Sequence, residues 1–401
     1  MSGESEARRE AGGPPFDVVL LGAILALVAV GLVFVYSASA VQAGRAGNQF
    51  TYLWRQLLAA GIGLGLMGGA LWLGTDRIAR LAYPLMLAAL VLLALVPFIG
   101  STAGGAQRWI PLGPLHLQPA EVAKVAMVLY LARSLARKGE QVRTFSVGLL
   151  PHLIVLGVLV ALCQAQRDMG TGVVLFLVSM AVLFAAGARV GYLFLAGLLA
   201  APVAYLLIRS NPYRMERIIA FMHPEDYRGT TGFQLWESLL GTANGGWLGQ
   251  GLGQSKGKLD FLPAAHTDFI AAVIAEEAGL IGVVLLVLLF GVVLWRGVRA
   301  TLRAQDAFSC HAALGVTTLI GLQALVNLCV VFGLMPTKGL TLPFVSYGGS
   351  SLLTLLGASG VLLAVSAQRG GHLTRAPAAV RVGAPIGSTP RLAGPQPEEA
   401  P

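Results

Sequence analysis

The chain has 401 residues, of which 56% are hydrophobic and 12% charged, with a formal net charge of +9 and a mean hydropathy of +0.73. Soluble globular chains carry about 25% charged residues, so this composition excludes an ordinary soluble domain and places the chain among membrane proteins. The positive charges are dispersed between apolar runs, so the balance does not point to nucleic acid.

Residues 1–16 are polar and carry both signs. The apolar run that follows is longer than the core of a signal peptide and reads as a first spanning helix, with 1–16 as an N-terminal tail. Apolar segments then recur at roughly 17–41, 52–74, 79–99, 118–135, 145–164, 170–187, 190–208, 268–295, 307–334 and 341–368. The fourth contains Glu121 and Lys124, and the sixth is short. The pattern predicts an all-α polytopic membrane protein of about ten transmembrane helices. Residues 17–368 would form one membrane domain, with a large extracytoplasmic loop over 209–267 between helices seven and eight. Residues 369–401 are rich in Pro, Gly and Ala and read as a disordered tail.

Orientation follows from the short loops. With both termini cytoplasmic, the inner loops hold Arg77, Arg80, Arg133, Arg137, Lys138, Arg143, Arg189, Arg296, Arg299 and Arg303. The short outer loops hold far fewer basic residues, as the positive-inside rule requires. The three cysteines, Cys163, Cys310 and Cys329, lie apart in apolar contexts without a CxxC pair, which supports neither a disulfide framework nor a metal site.

Four stretches could carry chemistry. In "FLPAAHTDFIAAVIAEE" (261–277) a proline-marked loop ends in His266, Thr267 and Asp268 before a long apolar run. Thr267 or Asp268 could cap the helix that follows. Equally, a partly desolvated carboxylate at the membrane boundary has a raised proton affinity and suits a general base. Glu276 and Glu277 lie deeper and need partners or a wet cavity.

In "GGAQRWIPLGPLHLQPAEVAKV" (104–125), Glu121 and Lys124 are neighbours on one helix face, as a self-neutralising pair or as the floor of a polar groove. Arg108 and Trp109 precede them in a short outer loop, where Trp109 could serve as an interfacial anchor. "GLMPTKGLTLPFVSYGGSS" (333–351) breaks its helix with Pro336, Gly339, Pro343, Gly348 and Gly349. Irregular backbone at that depth must be buried in protein or line water. Its Lys338, Ser346, Tyr347 and Ser350 could hold an anionic or sugar ligand. The glycine-rich "GGWLGQGLGQSKGKLDF" (245–261) matches no phosphate-loop motif, although Lys256 and Lys258 could meet phosphate.

"HTDF", "QPAEVAK", "RWIPLG" and "PTKGLTLPFVSYGGSS" together resemble the SEDS family of bacterial cell-wall polymerases, the family of FtsW and RodA, from "VYSAS" near residue 35 to about residue 368. "PTKGLTLP" is nearer the division-type branch. The resemblance implies a glycosyltransferase that polymerises lipid II into glycan strands at the outer face of the bacterial cytoplasmic membrane during division. Its implied partners are a class B penicillin-binding transpeptidase and other divisome proteins. It also implies Asp268 as the essential catalytic residue, with Trp109 and Lys124 in the central cavity. Two departures stand out: Arg167 replaces a usual proline, and Ala264 a common glutamate.

The reaction needs a base for the acceptor hydroxyl and cations for the departing diphosphate. Asp268 is the candidate base. Arg217, Lys258, Lys338 or a bound Mg2+ or Mn2+, which Asp268 could ligate, are candidates for the second role, and Arg108, Glu121 and His266 complete the expected substrate-binding set. Two other classes remain open: a flippase for lipid II, and a non-catalytic scaffold for the transpeptidase.

Overall fold

The computed structural model of the chain describes residues 16–45, 48–103, 106–113, 115–255 and 265–368. Lys256, Lys258 and Ala264, the expected tail over 369–401, and all of the N-terminal tail except Phe16 lie outside the described residues.

The chain is mostly helical, and every apolar segment read from the sequence overlaps a helix, although the tenth (341–368) is non-helical over 341–348. In chain order these are α1 (Val18–Arg45), α2 (Thr51–Ile99), α3 (Pro119–Lys138), α4 (Leu150–Ala165), α5 (Met169–Ala185), α6 (Val190–Arg209), α7 (Pro212–Met222), α8 (Phe233–Gly245), α9 (Ile270–Arg303), α10 (Ala307–Val331) and α11 (Gly349–Ser366). Among the described residues seven helices are long and apolar enough to cross a membrane, and α5 is apolar but shorter. The chain is therefore a multi-pass membrane protein.

Helix α2 combines the second and third expected segments. A straight helix of its length would reach about 74 Å, more than twice a hydrocarbon core of about 30 Å. Gly74 interrupts it with φ 72° and ψ 166°, a region open essentially to glycine alone. The two arms run back alongside each other. Gln56 of the first arm donates to Ser346 O, and Leu93 O of the second accepts from Gln166.

The central helix is α3. Its small residues Ala120, Ala123, Ala126 and Ala132 are buried, which lets α2, α5, α10 and α11 pack closely around it. Helix α6 is the opposite case and has no buried residue. Its exposed Phe194, Leu198, Leu199 and Leu206 suit contact with lipid, while Tyr192 and Leu193 at its start pack on the bundle.

The all-helical expectation needs one amendment. Residues 101–117 form a small antiparallel sheet in the order β1 (Ser101–Ala103), β2 (Ala106–Leu112), β3 (Leu115–Leu117). Trp109 pairs with Ser101, and Ile110 with Leu117. Arg108 and Trp109 therefore sit on a strand rather than in a free loop.

The glycine-rich stretch turns out to be a plug. Helix α9 breaks at Gly279, with φ 65° and ψ −164°. There the N–H groups of Leu280 and Ile281 leave the helix ladder and donate to Gly246 O and Trp247 O. In exchange, Gln250 N and Gly251 N donate to Glu276 O and Glu277 O, at 2.9 and 3.0 Å. The 246–251 loop thus restores the backbone bonds that the break removes, which a chain in lipid cannot leave open. A Cβ on Gly279 would stand 2.4 Å from Gly249 N, so the close approach also requires glycine.

The buried Glu276 and Glu277 have the partners their depth demands. Ser255 Oγ donates to Glu276 at 2.5 Å, while Ser37 Oγ lies 2.7 Å from both oxygens of Glu277.

Candidate functional site

Asp268 lies in the turn before α9. The N-cap of α9 is Phe269, with no side-chain cap. Asp268 is thus not the capping residue, and among the described residues no donor reaches its carboxylate. It is half-buried. Desolvation pushes its carboxyl up to about 6, against the pull of the Arg217 and Arg108 guanidiniums, with the Asp168 carboxylate adding to the rise. A carboxylate raised to about 6 is mostly ionised at neutral pH yet basic enough for proton transfer there.

The backbone beneath Asp268 is fixed by Asn327 of α10. Its Nδ2 donates to Asp268 O at 2.9 Å and to Leu340 O at 2.6 Å. One buried amide therefore joins the turn before α9 to the broken segment before α11. A second tie is the bond from Tyr347 N to His266 O, at 2.9 Å. Around it His266 packs on Tyr52 and Tyr347, with ring centroids 4.8 and 5.6 Å apart. Gly339 faces the carboxylate, and a Cβ there would lie 3.1 Å from Asp268 Oδ2. Glycine at this position keeps the approach to the acid open.

Two arginines come to the site from distant segments. Arg217, on the amphipathic α7, donates to Thr337 O at 3.3 Å, and its guanidinium lies 4.7 Å from the Tyr213 ring centroid. Arg108, on β2, donates to Gln166 O and Arg167 O at 3.0 and 2.7 Å. Arg167 adopts φ 59°. The departure from proline thus falls at a left-handed residue, a conformation closed to proline, whose carbonyl anchors Arg108. Asp168 caps α5 by accepting from Thr171 N at 3.0 Å. It also accepts from Thr171 Oγ1 and, at 3.3 Å, from Gln118.

The other expected residues divide into two groups. Lys338 and Tyr347 are half-buried on the broken segment. Burial lowers the proton affinity of both Lys338 and His266. Glu121 and Lys124 form a buried ion pair at 2.8 Å, one turn deeper along α3, and Glu121 Oε2 has no hydrogen-bond partner among the described residues. Trp109 is half-buried, and its carbonyl accepts from Ser101 Oγ.

Ser346 and Ser350 hold the fold together. Ser346 Oγ accepts from Leu342 N. Ser350 Oγ accepts from Gln118 N at 2.8 Å and donates to His116 O at 2.5 Å. These hydroxyls shape the segment from within and keep spare capacity for a ligand, because Ser346 Oγ still has its proton to donate and Ser350 Oγ a second lone pair. The reading of the sequence missed Asn327 and Gln118, and took Gly339 only as a helix break. Asn327 carried a usable signal, since an amide inside an apolar helix needs a partner.

Among the described residues no three His, Cys, Asp or Glu side chains come together as a metal cage. Asp268 is the carboxylate with free oxygens here. One carboxylate completed by substrate phosphate oxygens and water is a common Mg2+ arrangement.

A family model described as a cell cycle protein family, covering FtsW, RodA and SpoVE, matches residues 18–370. A probable peptidoglycan glycosyltransferase FtsW from Geobacter sulfurreducens is 44% identical over 354 residues, covering 88% of this chain and 95% of that protein. Stage V sporulation protein E of Bacillus subtilis is 40% identical over 356 residues, covering 87% and 96%.

Among solved structures, a chain from a peptidoglycan synthase complex that coordinates polymerization and crosslinking is 33% identical. It matches with a TM-score of 0.72 over 88% of this chain and 97% of that one. The rod shape determining protein RodA of Thermus thermophilus is 31% identical, with a TM-score of 0.65 over 88% and 96%.

Proposed function

The chain belongs to the FtsW, RodA and SpoVE family of cell cycle proteins, and from that premise we propose that it is a peptidoglycan glycosyltransferase with Asp268 as its general base. It polymerises lipid II into glycan strands during cell division. The observation that carries the role of Asp268 is its uncommitted carboxylate, raised to about 6 and placed at the head of a membrane helix.

In the reaction, Asp268 takes the proton from the acceptor sugar hydroxyl. The freed oxygen attacks the anomeric carbon of the donor sugar, and the bond from that carbon to the diphosphate oxygen breaks. Negative charge collects on the departing diphosphate. Arg217 and Arg108, already held by backbone carbonyls, offer preorganised positive charge, with Lys338 beside them on the broken segment. Mg2+ or Mn2+, if bound, would find a protein oxygen at Asp268 and would supply further positive charge for the leaving group, with the other Asp268 oxygen left as the base. The lipid anchor of the substrate accounts for a site at the bilayer edge.

Ten crossings, with both ends cytoplasmic and 209–267 outside, fit the placement of the inner-loop arginines. The likeness to a chain from a synthase complex supports a penicillin-binding transpeptidase as partner. By this reading the protein works at the division site.

The test is polymerisation of purified lipid II by the protein with its transpeptidase. The native protein should yield glycan polymer, and Asp268→Ala should not, while still folding and binding the partner. Normal polymer from that variant would overturn the assignment. Lipid II movement in sealed vesicles without polymer would favour a flippase instead.

A further inference from the structure

A second polar concavity lies at the opposite end of the bundle from Asp268, where the two arms of α2 turn at Gly74. The turn and the end of α11 border an open concavity of about 660 Å³, comparable in volume to small-molecule sites of about 300–1,000 Å³. Its charged lining is Asp76, Arg77 and Arg80, a formal balance of one positive charge. Arg77 and Arg80 are exposed. Three residues apart on the second arm, they share one helix face, and neither has an ion pair among the described residues.

Trp72, also in the lining, is 77% exposed, and the Arg77 guanidinium lies 5.5 Å from its ring centroid. An exposed Trp beside Arg at a helix end marks the level of the membrane–water interface, and the cation–π contact holds Arg77 there. From this level the outer face of the hairpin is apolar, with Leu66, Leu81 and Leu87 exposed. Guanidinium forks, an interfacial ring and an adjoining greasy track match the parts of one molecule: a phosphate head, a glycerol neck and acyl chains. Basic pockets between helices are suited to anionic lipid heads, and guanidinium pairs bind phosphate oxygens bidentately.

We propose that this cavity binds the phosphodiester headgroup of an anionic glycerophospholipid. Arg77 and Arg80 grip the phosphate, Trp72 lies against the neck, and the chains follow Leu66, Leu81 and Leu87. The single net charge matches a phosphodiester monoanion. The site is separate from Asp268 and does not depend on its role.

The experiment uses the full chain in nanodiscs containing either brominated phosphatidylglycerol or brominated phosphatidylcholine. The Trp72 signal is isolated by subtracting the emission of a Trp72→Phe variant. The anionic lipid should quench Trp72 preferentially, on the order of tenfold in apparent affinity. An Arg77→Gln/Arg80→Gln variant should lose that preference, while Arg77→Lys/Arg80→Lys keeps part of it and thereby excludes misfolding as the cause. Equal quenching by both lipids, or a preference unchanged in the glutamine variant, overturns the proposal. Displacement of the brominated lipid by millimolar inorganic phosphate also overturns it, because the ligand would then be a free anion.

Discussion

Asp268 could have been a capping residue, and its separation from the N-cap gives it a different physical character. A carboxylate that accepted N–H bonds at a helix start would be acidified, whereas this one is raised by burial. Four expectations follow at this scale. The polymerisation rate should climb as pH rises through about 6 and level off above about 7, since the base must be ionised; a pH–rate profile checks this. Asp268→Asn should lower turnover by about 10²–10⁴-fold.

The same substitution should stabilise the protein. The folded-state value lies above the unfolded one, so the contribution of Asp268 to stability is fully present below about pH 4 and is lost as pH rises through about 6. At pH 7 the asparagine variant escapes that loss and should gain on the order of 1–3 kcal/mol, read as a higher melting temperature in detergent. Asn327→Ala removes two bonds to backbone carbonyls and should cost about 1–3 kcal/mol. Because the mooring of Asp268 goes with it, kcat should fall more than KM rises. Asp268 and its two arginines were legible in the sequence because charge is rare in an apolar chain. The engagement of Ser346 and Ser350 was not, because hydroxyls in a broken segment look alike whether they bind a ligand or their own backbone.

At the scale of elements, the helices were legible because apolar runs near the bilayer thickness have few other solutions. Two features were not. The strand "AQRWIPL" carries Arg and Pro and lacks an alternating pattern, so nothing local distinguishes it from a loop. The plug at Gly279 depends on an exchange of backbone bonds with a segment about 30 residues away, which side-chain patterns do not record. Gly74→Ala should cost about 1–3 kcal/mol from backbone strain alone, because a Cβ there would meet nothing within 4 Å. Gly279→Ala should be worse, since it adds steric overlap with the 247–249 backbone. Thermal unfolding of the two variants side by side checks the order.

The whole molecule has two differently built ends. The Asp268 end is joined through Asn327, Gln118 and the paired strands. At the other end, Arg296 Nε donates to Asp17 at 2.6 Å, and Gln368 donates to Thr75 and Ser309 at 2.9 and 2.8 Å. The basic loops lie at this second end, so the proposed orientation has a direct check. In a cysteine-free background, Glu225→Cys, in the polar turn after α7, should react with a membrane-impermeant thiol reagent on intact cells, and Leu302→Cys only after permeabilisation. Both positions are exposed, so the contrast reads sidedness and not burial.

Helix α6, by contrast, touches the rest of the bundle mainly at its ends, through Tyr192 and Leu193 at its start and the Leu207 carbonyl near its finish. With no buried residue, its individual side chains carry little structural information beyond oil-solubility and length. It is the place where the chain can be rewritten: a generic leucine–alanine stretch spliced over 194–206, beyond the core-packed Tyr192 and Leu193, should still insert and leave the neighbouring bundle standing. A dye or photocrosslinker grafted there would therefore report on the surrounding bilayer without disturbing the catalytic machinery.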